Sequence, residues 1–449
     1  MSSRVARSSV MTATAIGTDW RPGRPAPRTA PPAIRASGSL PDPTRSLNRM
    51  GLRSEVNEHV KPAASGEFAV PRIGPLEVWP PVVLAPMAGV TNAPFRSLCR
   101  EFGAGLYVSE MITARGLVDG HLKTSRLAHF DPDETPRSIQ LYGTEPESIG
   151  RATKMLVGEG RVDHIDMNFG CPMPKVTRKG GGAAIPLKPR LFESIVRAAV
   201  DRAGDVPVTV KFRKGTDDDH LTFLEAGRIA EAVGASAVSL HARTAEQLYS
   251  GEADWTAVAA LKAVVTSIPV FGNGDVWEPW DALRLMRSTG CDGVVVGRGC
   301  LGRPWLFGDL ATVFGPHPDA GGAEPGRPPV LADVTRAMAR HARLLVEWAG
   351  PHGIKDFRKH TSWYLKGYAT GPQVRDTLQK VRDLDHLNAL LTSLLKSVDP
   401  AMTLDPASLR VPRSHRNGPK PVLLPAGWLD DPDDATPPPA DAEVLVSGG

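Results

Sequence analysis

The sequence is poor in cysteine, in aromatic residues and in long apolar runs. Its 449 residues contain four cysteines, in no CxxC or Cys/His spacing, which argues against a zinc framework or a disulfide scaffold. Aromatic residues make up 6% of the chain, so a surface that grips many bases by stacking is not expected. Apolar runs are too short for a transmembrane helix, and the N-terminus lacks the apolar core of a signal peptide. We therefore predict a cytoplasmic protein with free thiols, no bound metal and no membrane association.

The remaining composition is that of a globular protein, with 41% hydrophobic and 23% charged residues. The net charge of +4 permits an acidic partner without requiring one. The two ends differ from the middle. Residues 1–70 are rich in Arg, Pro, Ser and Ala and predict a disordered extension, and the prolines and aspartates of 401–449 predict a flexible tail. Neither end is expected to carry chemistry.

Residues 71–315 alternate short runs rich in valine, leucine and isoleucine with segments of helical length. This alternation predicts an α/β fold, a (β/α)8 TIM barrel, with a doubly wound open sheet as the structural alternative. The predicted strands are Val82–Ala85, Gly105–Val108, Ser138–Leu141, Val162–Met167, Val206–Phe212, Ala235–Leu240, Ile268–Phe271 and Gly293–Val296.

A Gly/Pro-rich linker is predicted at 316–330, and residues 331–400 have the apolar periodicity of helices. We predict a small C-terminal helical domain. Its basic residues, among them Arg358 and Lys359, are interleaved with Trp363 and two tyrosines. This mixture is typical of a surface that binds a polyanion with exposed bases, although a solvated helix face has the same composition.

Polar residues follow the predicted strands at their carboxyl ends, where barrel enzymes keep their active sites. Gln140, Lys211 and His241 could clamp an electron-rich planar cofactor, with the lysine stabilising negative charge on a reduced ring. The glycines after the seventh and eighth strands let backbone N–H groups approach a phosphate. These two turns are Asn273-Gly274-Asp275 and Gly297-Arg298.

The loop after the fourth strand contains a thiol, Cys171, shortly after Asn168, and continues into Lys175, Arg178, Lys179 and three glycines. The pattern indicates a reactive centre that faces an anionic substrate, while a buried cysteine in an ordinary loop is the plain alternative. A thiol with an ordinary pKa near about 8.5 is mostly protonated at neutral pH and can deliver a proton to a developing carbanion.

Taken together, these motifs resemble the tRNA-dihydrouridine synthases, most closely the bacterial B-type subfamily. The resemblance covers about residues 84–396 and is carried by ordered, specific motifs. They are Leu84–Thr91 with Pro94–Arg96, Asp166–Lys175, Lys179–Gly182, His241–Arg243, Gly272–Asp275, Gly297-Arg298 and Arg358–Gly367.

The resemblance implies FMN-dependent reduction of the C5=C6 bond of selected tRNA uridines to 5,6-dihydrouridine, with NADPH as electron donor. Hydride would pass from reduced flavin N5 to C6, and Cys171 would give a proton to C5. By position, the implied cofactor contacts are Pro86, Met87, Ala88, Gln140, Lys211, His241, Asn273, Gly274, Asp275, Gly297 and Arg298. The implied tRNA contacts are Asn168, Lys175, Arg178, Lys179, Arg243, Arg358 and Lys359.

Two other functions are compatible with parts of the sequence. A barrel oxidoreductase acting on a small enone, similar to the dihydroorotate dehydrogenases, would not need the helical domain. A non-catalytic RNA-binding barrel would not need Cys171 together with a complete set of cofactor-binding residues at the strand ends. We expect a monomer, and the sequence does not specify which uridines or which tRNAs are substrates.

Overall fold

Eight parallel strands close into a barrel in the computed structural model of the protein. The last strand pairs with the first, for example Val294 with Val82, which confirms the barrel and excludes the open sheet. The strands are buried on both faces, as parallel strands covered by helices require. A hairpin of β1 (Arg72–Ile73) and β2 (Leu76–Glu77) precedes the barrel strands, which are β3 (Val82–Leu84), β4 (Leu106–Thr113), β5 (Ser138–Tyr142), β6 (His164–Phe169), β7 (Val208–Arg213), β8 (Ala237–His241), β9 (Val270–Asn273) and β10 (Gly293–Val296).

The structure describes residues 53–103, 105–316, 329–411 and 418–439. The predicted extension before residue 53, the predicted linker from 317 to 328 and the end of the predicted tail from 440 lie outside these ranges. Within them, no helix combines the length and the apolar character that crossing a bilayer requires.

Helices surround the barrel and continue beyond it. The barrel region contains α1 (Ala93–Arg100), α2 (Ala114–Val118), α3 (Leu122–Leu127), α4 (Pro146–Gly158), α5 (Pro174–Thr177), α6 (Pro189–Ala203), α7 (Phe223–Val233), α8 (Trp255–Val264), α9 (Pro279–Thr289) and α10 (Leu306–Phe314). The helices after residue 330 are α11 (Leu331–Ala349), α12 (His352–Tyr364), α13 (Pro372–Leu378) and α14 (Leu384–Ser397). Several barrel helices start with capping groups; for example, Asn92 Oδ1 accepts a hydrogen bond from Phe95 N at 3.1 Å before α1.

The C-terminal helices share one apolar core with the outer surface of the barrel. That core includes Val334 and Leu345 from α11 and Leu98 from α1. The rings of Phe95 in α1 and His341 in α11 lie 5.5 Å apart. The helical segment is therefore held against the barrel by burial of side chains from both, which fixes its position beside the carboxyl ends of the strands.

Residues 53–70 differ from the predicted disorder because they pair with the start of α9. Ser54 N donates to Glu278 Oε2 at 2.9 Å, and Asn57 Nδ2 donates to Asp281 Oδ1 at 3.0 Å. Both carboxylates are buried, so these polar residues supply hydrogen bonds that the acids need. A local composition rule cannot anticipate a partner so distant in the chain.

Residues 418–439 differ from the predicted flexible tail. Trp428 is 8% exposed and packs into the main hydrophobic core beside the barrel. Two of the aspartates that suggested flexibility, Asp433 and Asp434, instead form ion pairs with Arg190 and Lys188 at the start of α6. One buried indole and a few ion pairs therefore attach a segment that is polar and proline-rich as a whole.

Candidate active site

A cavity of about 470 Å³ lies at the carboxyl ends of the barrel strands. Neighbouring strands place residues at or near their carboxyl ends side by side: Asn168 pairs with Lys211, and His241 pairs with Asn273. Every residue implied as a cofactor contact lines this cavity, as do Cys171, Asn168 and Lys175. The parallel register therefore brings together residues that are far apart in the chain.

The loop with Cys171 is held by a directional chain of hydrogen bonds. Asn168 Oδ1 accepts from Gly170 N at 3.0 Å and from Cys171 N at 3.1 Å. Asn168 Nδ2 donates to Gln140 Oε1 at 2.8 Å, and Gln140 Nε2 donates to Asp166 Oδ2 at 2.7 Å. Because the carboxylate of Asp166 accepts at its end of the chain, both amides have one orientation, and an oxygen faces the Cys171 loop.

Below this chain, a polar network fills the barrel floor. Thr209 Oγ1 donates to Asp166 Oδ1 at 2.7 Å and lies 2.9 Å from His164 Nε2. Burial raises the pKa of Asp166 to about 6 and lowers the pKa of His164 to about 3. Burial also lowers the pKa of Lys211, although the carboxylate of Asp166 opposes that shift. Lys211 Nζ donates to Asn273 Oδ1 at 3.0 Å, which aims the ammonium at the cavity wall.

Cys171 is the half-buried thiol of the chain, whereas the other three cysteines are buried. Burial raises the pKa of Cys171, opposed by a backbone hydrogen bond from Met173 and by the charges of Arg213 and Lys175. The thiol is therefore protonated at neutral pH. A protonated thiol at a cavity wall can give a proton, but it is a poor nucleophile.

One side of the cavity is rich in positive charge. Arg213 donates from Nε to Gly170 O at 2.9 Å, and Arg298 Nη2 lies 3.4 Å from Asp275 Oδ1. Burial lowers the pKa of both arginines to about 10, so both remain charged at neutral pH. Burial, together with these and neighbouring cations, lowers the pKa of His241 well below its usual value, which leaves a neutral imidazole. This concentration of charge suits an anionic ligand.

The turn after β9 is strained and polar. Gly274 has φ +135° and Asp275, which is not a glycine, has φ +54°. Arg243 Nη2 binds Asp275 Oδ2 at 2.7 Å, and Ala253 N donates to the same oxygen at 2.7 Å. Arg243 Nη1 is buried and finds no hydrogen-bond partner among the described residues. An unpaired buried guanidinium donor next to a glycine turn is a place where an anion could bind.

Several residues implied as tRNA contacts lie outside the cavity. Arg243 is 1% exposed behind the turn after β9, a position that suits an anchor of the turn better than a contact with a macromolecule. Arg178 and Lys179 lie on the outer part of the Cys171 loop, and Arg358 and Lys359 lie on α12. Arg358 Nε donates to Val381 O at 2.9 Å, so part of its hydrogen-bonding capacity is used within the helical segment.

Other cavity residues were not among the site residues that the resemblance implies. Arg213 ends β7, and strand-end position was the available signal. Tyr249 and Trp277 lie in loops, with the guanidinium of Arg298 4.6 Å and 4.9 Å from their ring centroids. Trp363 reaches the cavity from α12, so the helical segment forms part of the wall. No strand periodicity could have indicated these three aromatic residues.

The family model described as dihydrouridine synthase (Dus) matches residues 83–399. The chain belongs to the dihydrouridine synthase family. That assignment confirms the resemblance on which the implied site was based.

The alignments with three relatives cover nearly the whole length of each relative. The chain is 51% identical over 388 residues to a probable tRNA-dihydrouridine synthase of Mycobacterium tuberculosis (strain ATCC 25618 / H37Rv), covering 84% of this chain and 97% of the relative. It is 51% identical over 397 residues to the protein of the same description from Mycobacterium leprae (strain TN), covering 82% and 100%. It is 38% identical over 322 residues to tRNA-dihydrouridine synthase B of Escherichia coli (strain K12), covering 71% and 97%. The family match contains all cavity residues but excludes 53–82 and 400–439.

Proposed function

We propose that this member of the dihydrouridine synthase family reduces the C5=C6 bond of specific tRNA uridines to 5,6-dihydrouridine. FMN is the proposed cofactor, NADPH the electron donor and Cys171 the proton donor to C5. The observation that carries the proposal is the protonated Cys171 thiol at the wall of a cavity lined by every implied cofactor contact. Family membership supports the reaction class.

The cavity residues fit FMN at both of its ends. The cationic side, with Arg298 at the wall and the unpaired Nη1 of Arg243 buried behind Gly274, suits a phosphate, and Gly274 lets backbone approach it. Lys211 and Gln140 offer polar groups at the barrel centre for the edge of a planar ring. Met87 and its alanine neighbour give an apolar surface on which a ring can lie.

When bound, FMN supplies the hydride that adds to C6, the electrophilic end of a double bond conjugated to a carbonyl. The protein residues provide the second half of the reduction. Cys171 holds its proton because burial raises its pKa, and it delivers this proton from Sγ to C5. Asn168 holds the Cys171 backbone, and Lys211 stabilises negative charge that develops near the barrel centre.

Transfer RNA is the proposed substrate. A uridine in a folded tRNA must leave its stack to reach the cavity. Trp363 forms part of the wall and can stack on an extruded base. Basic residues of the helical segment, including Arg358 and Lys359, are proposed to bind the phosphate backbone, as are Lys175, Arg178 and Lys179 on the Cys171 loop. We propose residues 331–400 as the tRNA-binding domain and 71–315 as the catalytic domain.

The proposal is tested by comparing tRNA nucleosides from a deletion strain and its parent. Specific positions should lose dihydrouridine, and plasmid-borne wild-type protein should restore them. Plasmid-borne Cys171→Ala should fail to restore them, although the purified variant should retain FMN and its reduction by NADPH. An unchanged dihydrouridine content at every position in a strain without a paralogue would refute the proposal.

A purified system separates the substrate classes. Wild-type protein should be yellow, and with NADPH it should reduce uridines in unmodified tRNA transcripts. Reduction of small enones without any reduction of tRNA would favour a small-molecule oxidoreductase instead. Arg358→Ala with Lys359→Ala should weaken tRNA binding and flatten its salt dependence, while leaving the FMN spectrum unchanged, because neither side chain lines the cavity.

A further inference from the structure

The segment 418–439 lies outside the residues matched by the family model, yet it contacts the barrel close to the active site. Lys420 N donates to Glu246 O at 2.9 Å, which anchors the segment near the loop after β8. Further along, Trp428 Nε1 donates to Ala184 O at 3.0 Å. The segment therefore extends to the loop after β6, which contains Cys171.

Trp428 covers the glycine stretch of that loop at van der Waals distance. Gly180 has φ +76°, and a Cβ there would lie 2.6 Å from Cη2 of Trp428. No side chain larger than hydrogen fits between the indole and the loop backbone. Close contact and the Nε1 hydrogen bond together restrict where residues 180–184 can lie.

The same stretch is in direct contact with Cys171 on its other side. Ala183 N donates to Cys171 O at 3.1 Å. A Cβ at Gly182 would lie 2.6 Å from Cys171 O and 3.1 Å from Cys171 Cβ. A displacement of residues 180–184 would therefore move the backbone of Cys171 or leave its carbonyl without its partner.

Ion pairs and a hydrogen bond fix the part of the segment that follows Trp428 in the chain. Lys188, whose side chain is 3% exposed, donates from Nζ to Asp431 O at 2.8 Å and lies 3.3 Å from Asp434 Oδ2. Its ammonium also lies 5.0 Å from the centroid of the Trp428 ring. Arg190 pairs with Asp433 at 3.1 Å. The acidic residues thus attach the segment to the residues just before and inside α6.

We infer that Trp428 is a positioning residue for Cys171, acting through residues 180–184 to hold the thiol at the cavity wall. In this arrangement the segment 418–439 is a brace for the proton donor. The effect of Trp428 on turnover rests on the proposed function. Its effect on the position of the thiol does not, because that position can be measured without substrate.

The decisive measurement is the alkylation rate of Cys171 by iodoacetamide in full-length protein, assigned by mass spectrometry. Trp428→Ala should increase this rate several-fold, because a displaced loop exposes the Cys171 sulfur to the reagent and to water. The buried Cys99, Cys291 and Cys300 are internal controls and should remain slow in all variants. An unchanged rate at Cys171 would overturn the inference.

Two further variants separate positioning from a general loss of structure. Trp428→Phe keeps an aromatic ring but loses the bond to Ala184 O, so its rate should lie between those of wild type and Trp428→Ala. If Trp428→Ala does not fold, the alkylation rate of Trp428→Phe alone tests the positioning role. Leu429→Ala changes the exposed neighbour and should alkylate at the wild-type rate. Equal rates in all three variants would contradict a specific role for the indole.

Turnover gives the second readout. Trp428→Ala should lower kcat for tRNA while KM and FMN content stay near the wild-type values, because the substrate and cofactor contacts remain in place. A rise in KM with unchanged kcat would refute the positioning role. Faster alkylation in the variant, combined with no tRNA reduction by wild type, would reject the proposed function and leave the placement of the thiol intact.

Discussion

Asn168→Ala is the substitution that most directly tests how the active-site loop is held. The side chain makes four hydrogen bonds: Nδ2 donates to Gln140 Oε1 and to Met111 Sδ, and Oδ1 accepts from the backbone N–H groups of Gly170 and Cys171. Alanine removes all of them and leaves two backbone donors, the Gln140 oxygen and the Met111 sulfur without this partner. The loop should become less ordered around the thiol, while the barrel strands remain in place.

The magnitude follows from these bonds and from their position. A hydrogen bond contributes a net of about 0.5–1.5 kcal/mol to folding, and an unsatisfied buried group costs more. Asn168 is half-buried and lines the cavity, so water can replace part of what is lost. We expect the free energy of unfolding to fall by about 1–3 kcal/mol, which lowers Tm by about 2–4 °C per kcal/mol in a domain of roughly 150–250 residues and by less in a larger one.

Scanning calorimetry and the alkylation rate of Cys171 are the two assays. Asn168→Asp is the matched variant, because its carboxylate still accepts from Gly170 N and Cys171 N but places an oxygen against Gln140 Oε1. It should alkylate no faster than wild type, because the loop stays bound and the added negative charge disfavours the thiolate, whereas Asn168→Ala should alkylate faster and lose turnover. An alanine variant with unchanged Tm and an unchanged alkylation rate would refute this account of the loop.

Three other predictions concern charge. Because burial raises the pKa of the Cys171 thiol, its proton is present at and below neutral pH. Turnover should therefore fall only above the ordinary thiol pKa of about 8.5. A fall centred near neutrality in a pH–rate profile would contradict this prediction. Arg298→Ala should weaken FMN binding by at least about tenfold, since a hydrogen bond to a charged group contributes about 1.5–3 kcal/mol, and equilibrium dialysis should show it. Glu134→Ala should cost about 3–5 kcal/mol because it leaves the guanidinium of Arg96 buried and unpaired. Chemical denaturation should show that loss, and Glu193→Ala, which breaks an exposed pair, should change stability by about 0–1 kcal/mol.

The strands could be predicted from the sequence because each strand and turn of a parallel barrel has a local sequence pattern. A strand buried on both faces must be a short apolar run, and a turn with positive φ favours glycine. The strand β10 has the predicted bounds, Gly293–Val296, whereas β4 continues past the predicted end at Val108 to Thr113. The added part of β4 contains Ser109 and Glu110, whose polarity concealed the continuation.

Contacts between distant segments were not accessible in the same way. Trp363 was recognised as part of a basic, aromatic helix, but its place at the cavity depends on how α12 packs against the barrel. Arg243 was interpreted from its motif as a substrate contact, yet its burial beside Asp275 depends on the fold of the turn after β9. Trp428 lies in a segment whose average composition is that of a flexible chain.

The sequence by itself determined the barrel, the order of its strands, the family and the residues at the strand ends, because each depends on a local pattern or a contiguous motif. Only the tertiary structure decided which of those residues share the cavity, how the amides of Gln140 and Asn168 are oriented, and that residues 418–439 contact the Cys171 loop. These features depend on contacts between residues distant in the chain. The partner of each buried side chain and the direction of each hydrogen bond establish them, and no local sequence pattern specifies a distant partner.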